Sequence, residues 1–322
     1  MKIGFDLLYD PNARWILFGC MLLGLSSGVI GSFAYLRKQS LVGDALSHAA
    51  LPGVCIAFML TGAKSMLLFL IGAAAAGLLA TFCIGWITRH SRIKQDAALA
   101  IVLSVFFGFG IVLLTQIQHS GPGNQSGLDK FLFGQASSMV AADVALMSVA
   151  SFALIGICML LFKEFKLVSF DADFARGLGF PVAFLEQALM FLLAVSVIVG
   201  IQAVGVVLMA ALIITPAVSA RYWTDRLGAM VALSGGFGAL SGAIGTFFSA
   251  SGNHLPTGPL SVLAATAIFV ASVLFAPRRG WLFKRWRLHA MRVLERNTAV
   301  PSAAPERSAT LLSNDRKGGS AV

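Results

Sequence analysis

Apolar residues run through most of this chain in blocks of about twenty, separated by short clusters of charge, glycine and proline. A bilayer core about 30 Å thick needs about 20 apolar residues per helix. On that ruler the pattern predicts about nine spans, near Trp15–Leu36, Asp44–Gly62, Met66–Ile87, Ala97–Gln116, Ala141–Phe162, Leu185–Ile201, Ala203–Ala220, Leu227–Ser251 and Pro259–Ala276. The turn near Gln202 is so tight that its two flanking spans also read as one broken helix. In lipid, backbone polar groups must be satisfied within the segment, which leaves helices for blocks of this length. The expected fold class is therefore an all-α polytopic membrane protein, with its transmembrane domain over residues 15–276.

Composition agrees: 57% of the 322 residues are hydrophobic and 12% are charged, too much apolar surface for a soluble domain to bury. Residues 1–14 are mixed polar, without a cleavable-signal pattern, and read as an external N-terminal segment. The net charge of +10 raises nucleic acid as a partner, but its distribution argues against one. Ten of the 24 basic residues follow Pro277, and most others occupy loops on alternate sides of the spans. Arg37, Lys38, Arg89, Arg92, Lys94, Lys163, Lys166, Arg176, Arg221, Arg226 and the tail form one set; Lys2, Arg14, Lys64 and Lys130 form the other. Positive loops stay inside, so the N-terminus is expected outside and the C-terminus in the cytoplasm. Cys20, Cys55, Cys83 and Cys158 lie widely spaced in apolar runs, which fits small hydrophobes and neither zinc nor a disulfide framework.

Gly24-xxx-Gly28, Ser27-xxx-Gly31, Ala73-xxx-Gly77 and Gly238-xxx-Gly242 predict close helix contacts. Pro52-Gly53 and Thr215-Pro216 interrupt spans, and the carbonyls they free are tolerated only against protein or a wet cavity. A pathway through the bundle, gated near Pro52, Gly53 and Pro216, is expected. The external segment Ile117–Gly134 reads as irregular. In the cytoplasmic loop 163–184, Asp171 is placed to cap a short helix ending at Gly177 or Gly179, with Pro181 beyond. After Pro277 the tail 277–322 begins basic and aromatic, as an interfacial helix on anionic lipid would, and from about Asn297 its composition predicts disorder.

Candidate chemistry centres on Asp44 and His48, four residues apart and so on one helix face. An ionisable group inside an apolar segment costs roughly 2.5–3.5 kcal/mol on insertion scales, which makes it a functional-site candidate. A carboxylate and a neutral imidazole suit Mn²⁺, Fe²⁺ or Zn²⁺. Two ligands make a weak transit site, and two facing subunits would make four. A buried pair holding a helix end is the alternative. Gly24-Leu25-Ser26-Ser27-Gly28 matches the nucleophile-elbow pattern but sits mid-helix and overlaps a packing pair. Neither His-Glu-x-x-His nor a phosphate-binding Gly-x-x-x-x-Gly-Lys loop occurs, so ATP hydrolysis is expected elsewhere. His254 reads as a residue of an ordinary Pro/Gly turn; Gln187 and Gln202 suit a pore lining or inter-helix hydrogen bonds equally.

From Ile16 to Gly280 the chain resembles the permease family of ABC importers for manganese, iron and zinc. The most specific match is Arg37 to Gly53, with Gly43-Asp44-Ala45-Leu46-Ser47-His48-Ala49-Ala50-Leu51-Pro52-Gly53 at its centre. Similar too are Phe131-Leu132-Phe133-Gly134, Phe170 to Gly179, Thr215-Pro216-Ala217-Val218-Ser219-Ala220-Arg221, Leu255-Pro256-Thr257-Gly258-Pro259 and Ala276-Pro277-Arg278-Arg279-Gly280. The resemblance implies a dimeric permease with a type-II importer-like bundle in a bacterial cytoplasmic membrane, in which Asp44 and His48 contact the passing ion. It implies that Asp171, Ala175, Arg176, Gly177, Leu178 and Gly179 form the helix that docks into a cytoplasmic ATP-binding subunit, and that an extracytoplasmic metal-binding protein delivers the ion. The metal is substrate, with no permanently bound cofactor expected. The Leu-Pro-Gly ending favours manganese or iron over zinc. The competing readings are a zinc permease of the same family, a proton-coupled metal carrier, an intramembrane hydrolase using Ser26 and a permease for chelated metals.

Overall fold

A computed structural model describes residues 11–62, 66–119, 141–251, 255–277 and 279–281, with Phe283 and Arg285. Residues 1–10, the segment 120–140 with Phe131–Gly134, His254 and the tail beyond 285 lie outside the described residues, as do the side chains of Gln202 and Ala203.

Twelve helices follow in order: α1 (Pro11–Leu36), α2 (Ser40–Ala49), α3 (Leu51–Thr61), α4 (Met66–His90), α5 (Gln95–His119), α6 (Ala141–Leu160), α7 (Phe162–Phe170), α8 (Ala172–Gly177), α9 (Val182–Val204), α10 (Val206–Trp223), α11 (Leu227–Ser251) and α12 (Thr257–Phe275). No strand occurs among the described residues. Among the described residues eight spans are long and apolar enough to cross a bilayer, counting α2 with α3 as one. The shorter α10 occupies the position of the remaining expected span.

The bundle is layered. The span formed by α2 and α3, together with α1 and α9, is the most enclosed, while α4, α5, α6, α11 and α12 turn more of their surface outward. Helix α2 packs against α1, α4, α5, α9 and α10, which places it in the middle of the chain's fold.

Close approach holds the layers together. Between α1 and α11, Gly24 faces Gly238 and Gly28 faces Ser234, so near that a Cβ on either glycine would run into the partner's backbone. Ser234 uses the gap to donate its hydroxyl to the Gly28 carbonyl at 2.7 Å. Gly242 lies as close to the Cys20 backbone, so the pairs read from spacing are contacts. With lipid as apolar as the side chains, such packing replaces the hydrophobic effect as the force between helices.

Three boundaries differ from expectation. The second span begins at Ser40, and its break falls at Ala50, because Pro52 occupies the first turn of α3, where a missing N–H costs nothing. The break expected at Gln202 falls at Gly205, whose φ of 92° and ψ of 163° suit only glycine. The charged stretch after Phe162 is helical too: α7 buries Phe165 and Val168, three apart on one face.

Candidate ion path and coupling face

On α2 the residues Val42, Gly43, Ala45, Leu46, Ser47 and Ala49 are buried. Leu41, Asp44 and His48 are not, and their i, i+3, i+7 spacing gathers them into one accessible stripe. At 1.5 Å per residue His48 stands about 12 Å along the span from Ser40, about two turns in from its start. Asp44 Oδ1 and His48 Nε2 are 3.5 Å apart, with the imidazole the more enclosed of the two. The other ring nitrogen, Nδ1, is buried without a hydrogen-bond partner, and the ring stands edge-on to Phe107 of α5 at 4.8 Å.

The competing reading is a buried pair that holds a helix end. The separation of 3.5 Å is too long for a strong charge-assisted hydrogen bond, while His48 itself lies in the last turn of α2. Two ligands each about 2.1 Å from a tetrahedral ion stand about 3.4 Å apart, close to the separation seen. Among the described residues no third His, Cys, Asp or Glu joins them. Alone, the pair offers two donor atoms and no more.

The neighbouring groove between α3, α4 and α5, about 540 Å³, is lined by Pro52, Gly53, Ile56, Phe106 and Phe109 among other largely apolar groups and suits hydrocarbon, not a hydrated ion. Gly53 packs its backbone on Gly72 of α4 with no room for a side chain, so its visible task is a helix crossing. Pro216 is buried within a continuous α10, leaving the Leu212 carbonyl without its usual helical donor. Ser26 is buried and donates to the Leu23 carbonyl at 3.0 Å, with Ser151 the hydroxyl beside it; among the described residues no imidazole is set against it to activate a nucleophile. Gln187 donates to the Thr81 carbonyl at 3.3 Å, an inter-helix bond.

At the end of the bundle with the basic loops, Asp171 caps α8 by accepting the Phe174 N–H at 2.9 Å. The helix closes with Gly179 N–H to the Arg176 carbonyl and Phe180 N–H to the Ala175 carbonyl, the glycine at φ 85° supplying the left-handed residue. Ala175 points inward and is fully buried; Arg176 pairs with Asp173 at 2.6 Å in solvent. Phe170, Phe174, Leu178 and Phe184 are each more than half exposed around this short helix. Together they make an exposed apolar knob at this end of the bundle, the kind of patch that marks an interaction site.

Residues 10–276 match the ABC 3 transport family across most of the described bundle. The chain belongs to that family. Among its relatives, the manganese transport system membrane protein MntC of Bacillus subtilis is 54% identical over 88% of this chain. This chain spans 66% of that protein's length. The zinc transport system membrane protein TroC of Treponema pallidum is 46% identical over 90% of this chain and 97% of its own length. Among solved structures, PsaBC from Streptococcus pneumoniae, determined in complex with Fab, is 33% identical and superposes with a TM-score of 0.76 over 88% of this chain and 99% of that one.

In this ABC 3 family permease the residues that sequence reasoning missed are Phe107, Arg37 and Glu186. Phe107 sits in an apolar run like any other aromatic, and only the fold brings it to His48. Arg37 reads as a topology charge, yet it pairs with Glu186, 149 positions away.

Proposed function

We propose that this chain is the membrane permease subunit of an ATP-driven importer of divalent transition metal ions, manganese foremost. The observation that carries the reading is the Asp44–His48 pair on the one accessible stripe of a membrane helix otherwise buried. The relatives named for manganese support that ion, and the relative named for zinc keeps Zn²⁺ as the second substrate. The ion leaves water at a site too weak to hold it, as a transit site must be. A second protomer, identical or paralogous, would face its own pair across the path and complete four ligands. Iron stays in the substrate class through the same donor set.

The cytoplasmic ATP-binding subunit docks on α8, with the face of Phe174 and Leu178 in its groove and Asp171, Gly177 and Gly179 shaping the helix. An extracytoplasmic metal-binding protein supplies the ion at the opposite end, and the chain sits in a bacterial cytoplasmic membrane with its N-terminus out and C-terminus in. The break before Pro52 and the unpaired carbonyl below Pro216 are where α3 and α10 flex as the path opens. Leu178→Asp puts a charge into the docking face; recovery of the ATP-binding subunit on an affinity-tagged permease is expected to fall at least tenfold, the equivalent of about 1.4 kcal/mol. The permease's own melting temperature should not move, because Leu178 is more than half exposed.

The assembled complex in liposomes tests the whole reading. Mn²⁺ uptake is expected with ATP on the cytoplasmic side and absent with a pH gradient alone. Uptake driven by protons without ATP would replace the importer with a proton-coupled carrier.

A further inference from the structure

The first two turns of α9 are gripped from two directions. Arg89, at the end of α4, donates from Nη2 to the Ala183 carbonyl at 2.8 Å, and Arg37, just past the end of α1, forms an ion pair with Glu186. The Arg37 side chain is 13% exposed and that of Glu186 34%, so the pair is partly buried, with the guanidinium the more enclosed partner. Only residues 178–181 separate α9 from the docking helix α8.

Arg37 leads as directly to the Asp44–His48 pair of α2. Lys38 N–H bonds to the Tyr35 carbonyl and Gln39 N–H to the Ala34 carbonyl at 2.8 Å, with Lys38 at φ 58°. That is a Schellman closure with lysine where glycine is usual. A side chain in the left-handed region holds only where its surroundings fix it. The elbow therefore has little slack, Ser40 starts α2, and Asp44 follows one turn later. Phe33, four residues before Arg37, packs its ring on Phe162 and Phe165 of α7 at 5.9 and 5.7 Å.

We propose that the Arg37–Glu186 ion pair is the strut that carries displacement of α8 through the start of α9 to the α1–α2 elbow, and so sets the position of Asp44 and His48 during the ATP cycle. Both are positioning residues: neither reaches the ion. The proposal rests on the reading of the chain as an ATP-driven metal permease. A contiguous chain of contacts is a route for coupling, and coupling itself must be measured.

The measurement is Mn²⁺ taken up per ATP hydrolysed by the complete complex in liposomes. Glu186→Gln is expected to keep ATP hydrolysis within about twofold while the ratio falls about tenfold, inside the usual range of coupling between sites. Arg37→Lys, which keeps a cation, should hold most of the ratio, and the exchange Arg37→Glu with Glu186→Arg should recover most of what the single change loses. An unchanged ratio in Glu186→Gln overturns the strut. So does a parallel fall in hydrolysis and uptake, or failed assembly that the exchange repairs, since either marks a folding contact. If the wild-type complex takes up Mn²⁺ without ATP, the functional reading falls and the strut with it; if only Glu186→Gln is unaffected, the strut alone falls.

Discussion

Replacing His48 by Ala, or Asp44 by Asn, is expected to bring metal uptake to background while the permease still assembles with its partners. The expected loss is at least about a hundredfold, because even outer-shell partners of metal ligands are worth 10–100-fold. Neither is a main holding contact of the bundle: His48 meets α5 through its ring edge on Phe107. Their stripe is the accessible face of α2, their mutual contact is 3.5 Å, and Nδ1 of His48 has no hydrogen bond to lose. The buried faces of α2, through Leu46, Ser47 and Ala49, keep the helix in place. The check is Mn²⁺ uptake beside size-exclusion profiles and melting temperature. Normal uptake in both variants would remove the pair from the ion's route.

Gly238→Val is expected to damage the protein most, and by a different route. The added side chain meets the Gly24 carbonyl, which cannot rotate away as a flexible side chain could. Overpacking usually costs about 1–3 kcal/mol, occasionally more, and a backbone obstacle belongs at the high end. The α1–α11 contact is the most extensive between any two helices of the described bundle, so separating it also strains Ser234 and its bond to the Gly28 carbonyl. A markedly lower melting temperature in detergent, with aggregation on solubilisation, is the expected result. Gly24→Val should do the same, and the double variant should cost less than the sum, since one separation admits both side chains. Gly236→Ala is the control, because a Cβ there meets nothing within 4 Å.

The spans were legible because lipid allows so few structures: a run of about twenty apolar residues has nowhere to go but a helix. The small-residue pairs were legible for a similar reason, and Gly24, Gly28, Gly238 and Gly242 all proved to be backbone contacts. Asp44 and His48 could be singled out by cost alone, since hydrocarbon penalises both. Local errors came from punctuation. Proline marked the region of a break correctly, but it prefers the first turn of the next helix, so the bend precedes Pro52 at Ala50. The polar look of Lys163, Glu164 and Lys166 hid the apolar stripe that makes α7 a helix. The Arg37–Glu186 pair was out of reach, because nothing local joins positions 149 apart.

Gly205 joins α9 to α10 as a single buried residue in a conformation that other amino acids refuse. At that corner the protein has no flap to swing and no slack to lend. Any movement of the end of α9 is therefore passed to the start of α10, and a residue inserted at this joint would uncouple the two.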